Sequence, residues 1–129
     1  LLLLFFAPES PRWLVQAGRD VEALAIISEE QSDYALLELP MVYYTLGRIE
    51  ESDAALAELV EKYAEHAAFN IAAIHAYRDE PDEAFAWLER GYRSRDPQMV
   101  ILKTQPIFDP LRSDPRFDDL LRRIGFPEE

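Results

Sequence analysis

Two stretches of this chain carry the same punctuation at an offset of 32 residues: Gly47-Arg48-Ile49-Glu50-Glu51-Ser52 and Asp79-Glu80-Pro81-Asp82-Glu83-Ala84. Gly18-Arg19-Asp20-Val21-Glu22-Ala23 has the same shape. Each reads as a turn, an acidic helix start and then a small residue. A unit this short cannot bury its own apolar face, so copies must stack on one another. The small residue lets two helices approach closely, and large apolar residues one turn later fill the space between units. The pattern constrains the chain to paired helices.

Hydrophobic spacing agrees. Apolar residues recur at i, i+3, i+4 and i+7, and no stretch alternates with period two. Within 53–63, Ala55, Leu56, Leu59, Val60 and Tyr63 form one stripe while Glu58, Glu61 and Lys62 face away. Within 67–77 apolar side chains nearly surround the helix, which predicts burial on two sides. Ser10-Pro11 reads as an N-cap with proline at the first helical position, and Gly18 and Gly47 read as stops. Pro40 falls inside a predicted helix and should kink it. Three Asp-Pro steps, at Asp96-Pro97, Asp109-Pro110 and Asp114-Pro115, predict three short helices in succession, the last ending near Gly125.

These residues resemble the tetratricopeptide repeat family. Ile71-Ala72 takes the place of the family's Leu-Gly/Ala pair. Ala84, Leu88 and Gly91 take the places of its second-helix residues, and His75 stands where Tyr is usual. An earlier copy places Leu39, Pro40, Tyr43, Gly47, Ser52 and Leu56 at the matching positions. The resemblance implies an all-α fold: an antiparallel helix-turn-helix array, a right-handed α-solenoid with short C-terminal capping helices. The chain 1–129 is then one domain, with a partial repeat at 11–30, repeats at 33–64 and 66–96, and a cap at 97–127. The run from Ala84 to Tyr92, with Pro110 to Phe117 and Leu120 to Gly125, is similar to the C-terminal ends of bacterial tetratricopeptide regulators. An open array needs an end cap with a polar outer face.

The resemblance also implies a site. The first helix of each repeat lines a concave groove, which here becomes Tyr34, Leu37, Met41, Tyr44 and Thr45, then His66, Phe69, Ala73, Ala76 and Tyr77. The partner-binding candidates are Tyr34, Leu37, Met41, Tyr44, Phe69, Ala73 and Tyr77. Leu37, Met41, Phe69 and Ala73 occupy places where carboxylate-clamping relatives need Lys, Arg or Asn, so that activity is disfavoured. An apolar, aromatic groove suits an amphipathic helix or an extended apolar segment. Alternatively the C-terminal helices fold back and fill it.

A second resemblance touches the start of the chain. Pro8-Glu9-Ser10-Pro11-Arg12-Trp13-Leu14, within residues 8–24, is similar to the cytosolic segment after the sixth membrane helix of sugar transporters of the major facilitator superfamily. A transporter fragment is therefore one alternative reading, and an unrecognised hydrolase using acidic residues is another. Leu1–Ala7 is apolar but far shorter than the ~20 residues that span a bilayer. It reads as a buried helix segment, or as the tail of a truncated membrane helix.

Charge and composition narrow the partners. Acids outnumber bases 25 to 13, for a net charge of −12. Residues 1–89 hold 18 acids and 5 bases, whereas 90–129 hold 7 and 8. Nucleic acid and anionic membrane surfaces are disfavoured as partners, because phosphate binding needs clustered cations. With 0 cysteines, thiolate catalysis and disulfides are excluded, and a reducing, cytoplasmic setting fits. His66 and His75 lie half a turn out of phase and cannot share a metal. The cluster Asp79, Glu80, Asp82 and Glu83 lacks the spacing of a calcium loop. Arg112, Arg116, Arg122 and Arg123 interleave with Asp109, Asp114, Asp118 and Asp119, which predicts surface ion pairs. No catalytic constellation, metal site or cofactor motif emerges. The expected function is non-enzymatic: a scaffold module that binds a protein or peptide, at the C-terminal end of a larger regulatory chain.

Overall fold

The structure, a computed structural model, describes residues 33–126, and every regular element among them is helical. The helices are α1 (Asp33–Thr45), α2 (Ile49–Tyr63), α3 (Ala68–Tyr77), α4 (Pro81–Arg93), the 3₁₀ helices η1 (Pro97–Thr104) and η2 (Pro106–Leu111), and α5 (Pro115–Ile124). Contacts divide the chain into two compact units, parting after Leu59 within α2. The expectations at Leu1–Ala7, Pro8–Leu14, Ser10-Pro11 and Gly18, and the partial repeat at 11–30, lie outside the described residues.

In the first unit, α1 ends in a Schellman motif. Arg48 N donates to Tyr43 O at 2.9 Å and Gly47 N to Tyr44 O at 3.0 Å, with Gly47 at φ 75°. That left-handed conformation costs glycine nothing. Pro40 does sit inside α1 and is buried. The small residue expected at the helix crossing is Ser52, which is completely buried, and its Oγ donates to the Pro40 carbonyl at 2.7 Å. A hydroxyl is tolerated there because it has a backbone acceptor. Arg48 pairs with Glu51 one turn on, its Nε donating to Oε1 at 2.7 Å.

The second unit repeats the device. Glu80 N donates to His75 O at 2.9 Å and Asp79 N to Ala76 O at 3.1 Å, so α3 ends as α1 does. Here Asp79 holds the left-handed position, at φ 59°. Ala84 is completely buried, at the place equivalent to Ser52. Ala68 at the start of α3 lies against Gly91 near the end of α4, which shows that these two helices run in opposite directions. A Cβ at Gly91 would stand 3.6 Å from Ala68 Cβ and 3.1 Å from Met99 Sδ. As the all-round apolar pattern predicted, α3 is buried on several sides, through Phe69, Ile71, Ala72, Ile74 and Ala76.

The segment after α4 closes this core. Met99 and Leu102 of η1, Phe108 and Leu111 of η2, and Phe117 and Leu120 of α5 are buried against Phe69, Ala76, Phe85 and Leu88. Two of the three expected Asp-Pro helix starts are present: Asp96 Oδ1 accepts from Gln98 N at 2.9 Å, and Asp114 Oδ1 from Arg116 N at 3.0 Å. The third is corrected. The second short helix begins at Pro106, and Pro110 lies inside it. Asp109 instead accepts from Arg112 Nε at 2.7 Å, leaving its carboxylate no part in capping. The first two short helices are also 3₁₀ rather than α. At 3 residues per turn, positions three apart share a side, and that spacing turns both Met99 and Leu102 inward.

Candidate functional site

The two groups of groove candidates fall in different units. Within the first, Tyr34 lies in the opening turn of α1, its side chain outside the described set. Leu37 and Tyr44 are half-buried and Met41 is buried. Thr45 Oγ1 donates back to Met41 O at 2.9 Å, which draws that hydroxyl onto the helix.

Within the second unit, the three candidates differ sharply. Phe69 is buried in the core, its ring meeting Phe108 edge-on with centroids 5.2 Å apart. Its backbone N–H also donates to Asp96 Oδ2 at 3.3 Å. Ala73 is half-buried and packs against the same core. Tyr77, 41% exposed, alone presents a large side chain to solvent. Phe108 of the C-terminal segment thus covers Phe69.

His75 is tied up locally. His75 Nδ1 lies 3.0 Å from Glu80 Oε1, and Arg78 Nη2 donates to Glu80 Oε2 at 3.3 Å, so Glu80 serves both neighbours across the helix turn. His66 is exposed. Among the described residues no group of three or more His, Asp or Glu side chains converges as a metal would require. Nor, among them, is any helix long and apolar enough to cross a membrane.

One arrangement was not anticipated from the sequence. Arg116 Nη1 donates to Asp82 Oδ1 at 3.0 Å, and Arg123 Nη1 to Glu89 Oε2 at 3.1 Å, both across 34 residues. Two contacts at one offset place α4 and α5 side by side and running in the same direction. Arg116 also lies over the Phe85 ring at 4.4 Å and Arg123 over Tyr92 at 5.1 Å. Asp82, Glu89, Arg116, Asp119 and Arg123, with Phe85 and Ala86, line a shallow depression of about 320 Å³. The interleaved arginines and aspartates were a signal for ion pairs, but nothing local revealed their partners on α4.

Hydrogen bonds fix the charges along α4 and α5. Hydrogen bonding to Arg123 holds Glu89 below the usual carboxylate range, and the Arg116 side chain does the same for Asp114. The guanidiniums of Arg48, Arg116 and Arg123 are pushed up by the carboxylates they bond. In each case the bonded partner favours the charged form. Paired guanidiniums also leave little capacity for an external anion. No protein-family model matches the chain, and neither the curated proteins nor the solved structures contain a match to it.

Proposed function

We infer that the chain is a protein-interaction module, a short tetratricopeptide-like α-solenoid that binds an apolar or amphipathic peptide or helix. The observation that carries this reading is the common spacing of its helix pairs. The Schellman ends at Gly47 and Asp79 and the buried small residues Ser52 and Ala84 both repeat at 32 residues. The paired contacts between α4 and α5 then continue at 34. In a solenoid, second helices of successive repeats lie side by side in the same direction, which is the relation of α5 to α4. On this reading η1 and η2 stand in for the first helix of a last, degenerate repeat, and α5 is its second helix.

The binding residues are those the repeat positions select: Tyr34, Leu37, Met41, Tyr44, Ala73 and Tyr77, with Phe69 supporting the wall from beneath. The lack of cysteine and the acidic body suit a cytoplasmic protein partner, not nucleic acid. The test uses Tyr44→Glu and Tyr77→Glu, both at side chains with solvent access, and leaves Phe69 intact because a charge there would unfold the core. Affinity capture with the wild-type chain should recover a partner that the double variant loses, at unchanged helicity by circular dichroism. Equal recovery by both proteins removes the reading.

A further inference from the structure

Most arginines of the second unit are already committed. Arg78, Arg112, Arg116, Arg122 and Arg123 each meet a carboxylate, and Arg90 lies over the Trp87 ring at 4.8 Å. Arg93 and Arg95 are the exceptions. Both are exposed at the corner between α4 and η1, and among the described residues neither forms a close ion pair or lies over a ring, although Arg93 still feels Glu89 through space. The adjoining 3₁₀ helix turns Met99 and Leu102 inward, and this spacing forces Val100 and Ile101 outward. Val100 is 65% exposed and Ile101 39%, the former the most open large apolar side chain among the described residues. A basic and apolar corner therefore stands on a chain of net charge −12.

The chain also carries the complement of that corner. On α2, Glu50, Ala54, Ala57 and Glu61 are all exposed and recur at helical spacing, forming one stripe. Two small alanines between terminal carboxylates leave a shallow seat with acids at both ends, about 16 Å apart along the axis. Val100 and Ile101 fit such a seat by size, and Arg93 and Arg95 match its ends by charge.

We propose that the Arg93–Arg95–Val100–Ile101 corner docks a second copy of this chain, on the α2 stripe Glu50–Ala54–Ala57–Glu61. The contact joins two different surfaces, so each copy retains one free stripe and one free corner, and association continues head to tail beyond a dimer unless a ring closes. The like net charge of the two molecules opposes approach from a distance. At physiological ionic strength that repulsion is screened over about 8 Å, which leaves the contact pairs to act. The inference is independent of the peptide-binding reading, since it uses none of the groove residues.

The experiment is sedimentation velocity of the full chain over a wide concentration range. The weight-average mass should rise above that of the monomer with concentration. Arg93→Glu/Arg95→Glu and Glu50→Arg/Glu61→Arg should each remain monomeric, because each variant now carries like charge on both surfaces. An equimolar mixture of the two should associate again, since each reversed surface then meets an opposite one. Val100→Ser keeps every charge and should weaken association of the wild type about fivefold or more. A wild-type chain that stays monomeric throughout, variants that associate like the wild type, an inert mixture, or an unaltered Val100→Ser each overturns the proposal.

Discussion

At the residue scale, the helix ends show where local chemistry is satisfied and where it is strained. Four helices end with the same paired backbone bonds, at Gly47, Asp79, Arg95 and Gly125. Only two of these left-handed positions are glycine; Asp79 has φ 59° and Arg95 φ 58°. A side chain in that region crowds the following carbonyl, a cost of about 1–2 kcal/mol that aspartate partly escapes. Replacement by glycine removes the clash and adds some unfolded-chain entropy in exchange. Asp79→Gly and Arg95→Gly should therefore each stabilise the fold, by about 0.5–1 kcal/mol, with Arg95→Gly the larger. Thermal denaturation at neutral pH measures this, and a lowered melting temperature for both would contradict it. The motif at Gly47 was legible in the sequence, and its alignment placed Asp79 at the equivalent position. The ending at Arg95 was not, because nothing about an arginine announces a positive φ.

At the scale of elements, the three Asp-Pro steps separate two roles of one dipeptide. Asp96 and Asp114 accept backbone N–H groups at the starts of η1 and α5, whereas Asp109 holds only Arg112. Asp114→Ala should lower the melting temperature by about 3–6 °C, as loss of a helix cap does. Asp109→Ala removes an exposed pair and should change it by no more than about 2 °C. Equal losses would restore capping to Asp109. The sequence could not tell them apart, because a capping signal is local while the start of η2 at Pro106 depends on how Phe108 and Leu111 reach the core. The ion pairs between α4 and α5 predict a pH dependence. Glu89 is held below its ordinary pKa in the folded chain, chiefly by its hydrogen bonds with Arg123, so the unfolded state binds its proton more readily. The stability it contributes is complete above the unfolded value of about 4 and is lost as pH falls through the lower folded one. Melting temperature should accordingly drop below about pH 4.5, and Glu89→Gln should make that acid limb shallower while lowering stability at pH 7. An identical acid limb in the variant would remove Glu89 from the account.

At the scale of the whole molecule, the helical class and the pairing of α3 with α4 were readable, since they follow from periodicity and punctuation along the chain. The fate of the groove candidates was not. Phe69 looked like a binding residue by position, and only the path of the last thirty or so residues shows Phe108 lying on it. That path makes the cap part of the second unit's core instead of a cover placed over a finished one. The buried residues Phe69, Phe85 and Leu88 find many of their neighbours in η1, η2 and α5. Ending the chain after Asp96 would expose these faces at once, and loss of a single buried phenylalanine such as Phe108 costs about 3–5 kcal/mol on its own. A typical domain holds only about 5–15 kcal/mol in reserve. The truncated chain should therefore lose its cooperative thermal transition in α3 and α4, bind a hydrophobic dye and show rapid amide exchange at Ile71, Ala72 and Leu88. Should it instead keep a sharp transition and slow exchange at those three positions, the cap would be an accessory element, and Phe69 would return to the list of residues able to meet a partner.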